Sequence, residues 1–244
     1  MQPLKSTSFT DPITNKSYTL GIYYDESPSD PFEDSDCELP LIYQTYKYSR
    51  RDTTHYGTNH IVSKLLDLIT PRRLNLNRKE LLEIIDVDED YIKENKYKNQ
   101  TFVDALIDEL KWYPENLNLI EALARISKTP YSRHKSRGYS QWDYADVLIV
   151  LTPESFKKIW CKPKDATAIL DGTKKLFDAY IWWDVYGFQL IEHKPLFHSD
   201  GTLSDTTDDE TIDSCWWFYG DNLIENGMRD YLPDFAKPHL DTLI

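Results

Sequence analysis

Clustered carboxylates are the residues of this 244-residue chain whose type and spacing could do chemistry. Residues 25–38 (DESPSDPFEDSDCE) can bind a divalent cation or attract a basic partner. A calcium loop needs a Gly at its sharp turn, whereas this segment has none and is interrupted by Pro28 and Pro31. A solvated loop is therefore the first interpretation, ahead of a partner-facing patch and of a metal site. The carboxylates are Asp25, Glu26, Asp30, Glu33, Asp34, Asp36 and Glu38.

A second acidic cluster lies within residues 192–213, which the sequence predicts to be a loop. A flexible surface is again the first interpretation. If both acidic loops lie on one face, their summed field attracts a basic groove more strongly than either loop alone. The members of this cluster are Asp200, Asp205, Asp208, Asp209 and Glu210.

Two of the six histidines lie close to this cluster and suggest a rival chemistry. His193 and His198, together with Asp200, are residue types that hold metal ions. Their spacing of five differs from the i, i+4 spacing of a helical zinc site. A metal-dependent enzyme using these residues or the clustered carboxylates is an alternative, but we predict no metal and no cofactor.

Motifs for a nucleophile or for phosphate binding are missing. Cys215 lies on a predicted strand with no neighbouring positive charge, so a core thiol is favoured over a nucleophile. Neither GxxxxGK[ST] nor GxGxxG occurs in a chain with only eight Gly. No catalytic residue is predicted, and a non-enzymatic protein is favoured, with an enzyme kept as the alternative.

The most basic stretch, residues 128–138 (KTPYSRHKSRG), contains Pro130 and Gly138 and is predicted to be a linker or loop. Its positive charges lie between Tyr131 and Tyr139, a pattern typical of single-stranded nucleic-acid contacts. On so acidic a chain, pairing with one of the acidic loops is the simpler use.

Charge and cysteine content restrict the partners and the compartment. The net charge of −13 and the pI of about 4.9 disfavour direct nucleic-acid binding, which needs a basic surface. Three widely separated cysteines indicate a reducing compartment. No apolar run is long enough for a signal peptide or a membrane span. We therefore expect a cytoplasmic protein that binds no membrane, and no oligomeric state is predicted.

Aromatic and β-branched runs near both ends read as strands, and the middle of the chain has helical spacing. We predict an α+β fold, in which N- and C-terminal strands form one antiparallel sheet and the helices form a central block. Residues 1–244 are taken as a single domain, with 60–128 as a helical subregion and possible insertion. In the last strand, strict alternation puts Cys215, Trp217 and Tyr219 on one face, with Trp216 and Phe218 opposite. The predicted strands are 17–26, 41–48, 146–151, 183–190 and 213–220.

The strand pair that closes the chain resembles a known family. Residues 184–188 (DVYGF), 213–216 (DSCW) and 218–221 (FYGD) are similar to the "DVYGY…DSCWGFYG" pair of an uncharacterised family carried by bacteriophages and mobile elements. Residues 146–150 and 18–28 (YTLGIYYDESP) resemble an upstream strand of that family and its opening strand with an acidic, Pro-rich turn.

The resemblance covers the first thirty residues and the last third of the chain. It departs at Trp217, where the family tends to have Gly, and at the insertion over 194–212. No catalytic residue comes with it. It implies a mobile-element setting, in which small acidic proteins often inhibit host defence systems.

These observations lead to one functional hypothesis. The chain is expected to be an acidic phage or mobile-element protein that inhibits a host nucleic-acid-acting defence protein by occluding its basic site. Besides the metal-dependent enzyme, an interaction subunit of a phage complex is an alternative. The residues expected to contact the basic host protein are Asp25, Glu26, Asp30, Glu33, Asp34, Asp36, Asp208, Asp209, Trp216 and Tyr219.

Overall fold

The computed structural model describes residues 2–32, 41–47, 55–56, 61–114, 116–137, 144–158 and 161–243. Its strands are β1 Lys5–Thr10, β2 Ser17–Tyr24, β3 Leu41–Lys47, β4 His55–Tyr56, β5 Tyr131–Arg137, β6 Tyr144–Val150, β7 Val185–Phe197 and β8 Leu203–Tyr219. Its helices are α1 Ile61–Asp67, α2 Pro71–Ile85, α3 Glu89–Asn95, α4 Phe102–Leu110, α5 Leu117–Ser127, α6 Pro153–Lys158, α7 Ala166–Ile181, α8 Met228–Tyr231 and α9 Lys237–Leu240, with a 3-10 turn at Pro163–Asp165.

The terminal strands form one antiparallel sheet in the order β1-β2-β7-β8. The predicted α+β fold, with N- and C-terminal strands in one sheet and a helical block between them in sequence, is confirmed. Strand β1 was not predicted, because KSTSFT is mostly polar and lacks the apolar alternation of a half-buried strand.

One face of this sheet carries its core. Leu20 and Ile22 of β2 lie on the same side as Phe188 and Leu190 of β7, and all four are buried. The C-terminal segment packs against this face through a row of apolar residues spaced along α8, α9 and their connections. Burial of that row holds the C-terminal segment on the sheet. It covers the apolar face that the strands alone would leave exposed. The row is Leu223, Met228, Leu232, Ala236, Leu240 and Leu243.

The five helices α1–α5 lie between residues 61 and 127 and share a separate core. Helix α4 begins at Thr101, whose hydroxyl accepts from the Asp104 N–H at 3.2 Å while the Asp104 carboxylate accepts from the Thr101 N–H at 3.3 Å. The predicted N-cap is thus confirmed as a reciprocal capping box. Helix α2 also begins at a Thr N-cap, because the Thr70 hydroxyl accepts from the Arg73 N–H at 3.4 Å and Pro71 stands in the first turn.

A second antiparallel sheet has the order β4-β3-β6-β5. The prediction of a loop at 128–138 is wrong, because residues 131–137 form β5 and pair along the full length of β6. Arg133 explains the stability of this polar strand. Its guanidinium donates to both carboxylate oxygens of Asp146, at 3.2 and 2.9 Å, and to Glu121 at 2.6 Å. These hydrogen bonds raise the pKa of Arg133, so its charge belongs to a local network and not to an acidic loop.

The chain divides into two compact units, residues 1–30 with 176–244, and residues 31–175. The first contains the terminal sheet, and the second contains α1–α5 and the other sheet. The description of 1–244 as one domain with an inserted helical region stays a prediction. No helix in the described ranges combines the length and apolar character needed to cross a bilayer.

Candidate functional site

The residues predicted to contact a partner fall into three groups. Glu33, Asp34 and Asp36 lie outside the described residues. Asp25, Glu26, Asp30, Trp216 and Tyr219 lie at one end of the terminal sheet, at the end of β2 and of β8. Asp208 and Asp209 lie farther along β8, opposite Lys194 and His193 of β7.

The first acidic segment is tied to the sheet end by main-chain contacts. The Tyr219 hydroxyl donates to the Ser29 carbonyl oxygen at 2.7 Å, and the Asp25 N–H donates to the Val185 carbonyl at 2.9 Å. The Asp25 side chain accepts from the Ser27 N–H at 2.9 Å and is only 8% exposed. Asp25 therefore shapes the turn, whereas Glu26 is exposed and available to a partner.

An aromatic pair lies beside this turn. Tyr24 and Tyr186 stack with ring centroids 5.2 Å apart, and the Tyr186 hydroxyl donates to Asp184 at 2.6 Å. Burial, followed by the hydrogen bond to Asp184, raises the pKa of Tyr186. Tyr186 is thus a neutral, fixed support for the exposed ring of Tyr24. Tyr24, Glu26 and Tyr219 form what we call the acidic–aromatic end of the sheet.

The prediction that residues 192–213 form a loop is wrong. Most of them extend the hairpin β7–β8, which is closed by a short turn over residues 198–202. In that turn the Asp200 carboxylate accepts from the N–H and the hydroxyl of Thr202, at 2.9 and 2.6 Å. Both bonds lower the pKa of Asp200. Asp200 is therefore a turn residue, and Gly201 supplies the left-handed conformation beside it, with φ of +83°.

Strand β8 is an edge strand of the terminal sheet and is exposed along most of its length. It has 17 residues with five carboxylates and no Lys or Arg. Asp205, Asp208 and Asp213 have no side-chain hydrogen bond or ion pair with any described residue, whereas Glu210 pairs with Lys194. The strand therefore presents a surplus of negative charge, offset only in part by Lys194 and His193 of β7, beside a row of backbone groups that no described strand pairs.

A row of hydrogen-bonded polar side chains crosses all four strands of the terminal sheet. Ser8 of β1 contacts Thr19 of β2 at 2.8 Å, Thr19 contacts His193 Nε2 at 2.7 Å, and His193 Nδ1 contacts Asp209 at 2.7 Å. Because the carboxylate only accepts, Nδ1 carries a proton, and in the neutral ring Nε2 accepts from the Thr19 hydroxyl. Ser8 and Thr19 were missed, since only the strand register brings them to His193.

These contacts bear on the metal hypothesis. Both ring nitrogens of His193 have protein partners, and the Asp200 carboxylate is used by the turn. No group of three or more His, Cys, Asp or Glu side chains among the described residues is arranged to hold a metal ion. The chain Ser8–Thr19–His193–Asp209 resembles a nucleophile–base–acid relay, but it lies across a sheet, where it holds the register of four strands.

Strand β8 contains a bulge that changes the predicted face assignment. Phe188 pairs with Cys215 and Tyr186 pairs with Phe218, so Trp216 and Trp217 together lie opposite Gly187. The prediction that Cys215 and Phe218 face opposite sides is wrong, because the extra residue shifts the alternation. Trp216 lies half-buried against Gly187, while Trp217 is 57% exposed with a φ of +71°.

The conformation of Trp217 makes a testable prediction. A side chain at positive φ costs about 1–2 kcal/mol, which Gly avoids. We expect Trp217→Gly to be more stable than Trp217→Ala by about 1 kcal/mol, because both lose the same exposed ring and only Ala keeps a Cβ. Urea unfolding of the two variants measures the difference. Equal midpoints would contradict the assigned backbone conformation.

The carboxylates of the hairpin predict an acid-sensitive fold. The pKa of Asp209 is lowered by hydrogen bonds from Thr207 and His193, and that of Glu210 by Lys194. A carboxylate whose pKa is lowered by folding stabilises the fold fully at pH values above its ordinary pKa, which is 3.8 for Asp209 and 4.5 for Glu210. This stabilisation is lost as the pH falls through the lowered pKa of the folded state. We expect the urea midpoint to be lower at pH 3 than at pH 6. An equal or higher midpoint at pH 3 would contradict these pairings.

The two acidic regions lie at separate places along the hairpin. Val185 pairs with Tyr219, and eight residues later His193 pairs with Asp209. At about 3.3 Å per residue, the acidic–aromatic end and Asp209 are roughly 26 Å apart along the strand. Both belong to the first compact unit. A partner that touches both must therefore follow β8 along its length.

Comparisons of this chain with protein-family models, curated proteins and solved structures found no match. The resemblance of the closing strand pair to a phage family stays a prediction.

Proposed function

We propose that this chain is a non-enzymatic cytoplasmic binding protein of phage or mobile-element origin. It occupies the basic site of a host protein that acts on nucleic acid in defence, and thereby keeps nucleic acid out. The observation that supports binding is the exposed acidic edge strand β8. The origin and the defence target rest on the resemblance of the terminal strand pair.

The chemistry of β8 favours a basic partner over another copy of this chain. An edge strand adds a further strand through its unpaired backbone groups. Two copies of β8 would place carboxylates opposite carboxylates, which destabilises strand pairing. A segment rich in Lys and Arg would instead place positive charges beside Asp205, Asp208 and Asp213, which favours strand pairing. Proteins that bind nucleic acid use such Lys- and Arg-rich segments to contact its phosphate groups.

The acidic–aromatic end gives the partner a fixed point. Tyr24 is large and exposed at the end of β2, two residues before Glu26, and Trp217 is large and exposed two residues before Tyr219 at the end of β8. Aromatic side chains dominate the dissociation rate of many interfaces, whereas exposed charges mainly raise the association rate. β8 therefore attracts the basic site, and the exposed rings hold it.

Capture from a bacterial lysate at low and at moderate salt tests this function. The immobilised chain is expected to retain a basic nucleic-acid-binding protein at low salt and to lose it as salt rises, because exposed charge pairs are screened. A matched bait with Asp205, Asp208 and Asp213 changed to Asn is the control. Retention of the same proteins by both baits would refute the role of β8.

A further inference from the structure

A small aromatic-lined cavity opens between α3 and α4, in the unit formed by residues 31–175. Its volume is about 90 Å³. Pockets for small molecules usually measure about 300–1,000 Å³, so this cavity suits a few waters or one side-chain head group rather than a metabolite of ordinary size. Its apolar lining includes the buried Ile92 and Ala105.

Three aromatic side chains line this cavity and remain open to solvent. Trp112 is 81% exposed, Tyr97 is 80% exposed and Tyr91 is also exposed. Rings as exposed as those of Trp112 and Tyr97 bury little apolar surface and therefore add little to the stability of the folded state. Aromatic faces attract cations, and Trp does so most strongly.

The polar lining leaves one carboxylate oxygen open to a positively charged group. Asp108 and Glu109 contribute two carboxylates near the C-terminus of α4, where the helix dipole also favours a cation. The described contacts use both oxygens of Asp108, for Gln100 at 2.7 Å and for Lys111 at 3.6 Å, and one oxygen of Glu109, for the Tyr113 hydroxyl at 3.3 Å. The second oxygen of Glu109 has no described contact. The cation of the lining, Lys96, donates to the Gln100 carbonyl at 3.2 Å. A positively charged group in the cavity therefore has the second Glu109 oxygen to pair with.

We infer that this cavity binds an arginine side chain of a partner protein. A guanidinium is planar, stacks on indole and phenol faces, and donates to carboxylates at the same time. Its size suits a head-group cavity, and its aliphatic stem covers the apolar lining. This site belongs to the other compact unit from β8 and does not depend on the acidic edge strand.

NMR titration of the full chain with a short Gly-Gly-Arg-Gly-Gly peptide tests the inference. The Trp112 indole and Ala105 amide signals are expected to shift with the arginine peptide. Its citrulline twin, which has the same shape without the charge, is expected to bind about tenfold more weakly. Equal shifts with both peptides, or none with arginine, would overturn the assignment.

Two variants locate the effect. Trp112→Ala is expected to abolish the Ala105 shift while leaving the thermal midpoint unchanged, because the ring is almost fully exposed. Leu76→Ala removes an equally exposed apolar side chain from α2 outside the cavity lining and is expected to leave arginine binding intact. Binding that survives Trp112→Ala places the peptide elsewhere and refutes the site. Loss of β8 binding leaves this result unaffected, so the two proposals fail independently.

Discussion

Gly187→Ala is expected to destabilise the terminal sheet by about 3 kcal/mol or more, the upper range for overpacking a fitted site. A Cβ at Gly187 would lie 2.1 Å from Cε3 and 2.5 Å from Cδ2 of Trp216. Non-bonded carbon atoms do not approach so closely, and the obstacle is a rigid ring rather than the flexible end of a side chain. Either the indole leaves its place or the bulge of β8 opens.

A matched glycine and a second substitution separate this clash from general effects. Gly172 of α7 is exposed, and a Cβ there meets nothing within 4 Å. Gly172→Ala is therefore expected to stabilise the protein by about 0.5–1 kcal/mol through helix propensity. Replacing Trp216 by Ala removes the ring, so Gly187→Ala should cost much less in that background. An equal cost in both backgrounds would show that Trp216 does not lie on Gly187.

Neutralising β8 is expected to weaken partner binding by at least about tenfold, chiefly by slowing association. The variant changes Asp205, Asp208 and Asp213 to Asn. None of the three makes a described hydrogen bond or ion pair, and Asp208 interacts with Lys194 through charge alone, so the cross-strand pairs of Asp209 and Glu210 stay intact. The expected loss therefore reflects the partner and not the stability of the hairpin.

A variant of equal charge controls for the acidity of the whole chain. Asp67, Glu83 and Glu94 are exposed on helices α1, α2 and α3. Changing them to Asn, Gln and Gln removes three carboxylates as well, and both variants have a net charge of −13 + 3 = −10. Surface plasmon resonance with the captured protein compares the two. Equal weakening by both variants would assign the attraction to net charge and not to β8.

The sequence was sufficient to predict the elements whose apolar residues alternate or recur at helical spacing. In β2 and β7 the buried residues Leu20, Ile22, Phe188 and Leu190 alternate with other positions, which revealed both strands and made their pairing the economical arrangement. Thr101 marked the start of α4, since a Thr N-cap needs only local sequence.

The outer hairpin was missed because its strands are held by polar pairs across the sheet. Lys194 with Glu210 and His193 with Asp209 stabilise residues whose own sequence, DTTDDE, reads as solvated loop. Such pairs exist only in one register, which a single sequence does not display. Strand β5 was missed for the same reason, because Arg133 finds its carboxylates on α5 and β6.

The bulge at Trp216 and Trp217 could not be deduced from alternation either. A period of two assigns neighbouring residues to opposite faces, and one extra residue reverses every assignment beyond it. No sequence pattern indicates the cavity between α3 and α4, because Tyr91, Tyr97 and Trp112 come together only through the packing of two helices and their connection.

Competition between this chain and nucleic acid for the captured host protein shows whether the chain occludes a basic site. Labelled double-stranded DNA is titrated with the host protein alone, with the unchanged chain present, and with the β8-neutralised variant present. We expect the unchanged chain to displace the DNA in proportion to its occupancy of the host protein, and the variant to displace far less. A ternary complex, in which the host protein binds DNA equally well while carrying this chain, would contradict occlusion of a basic site.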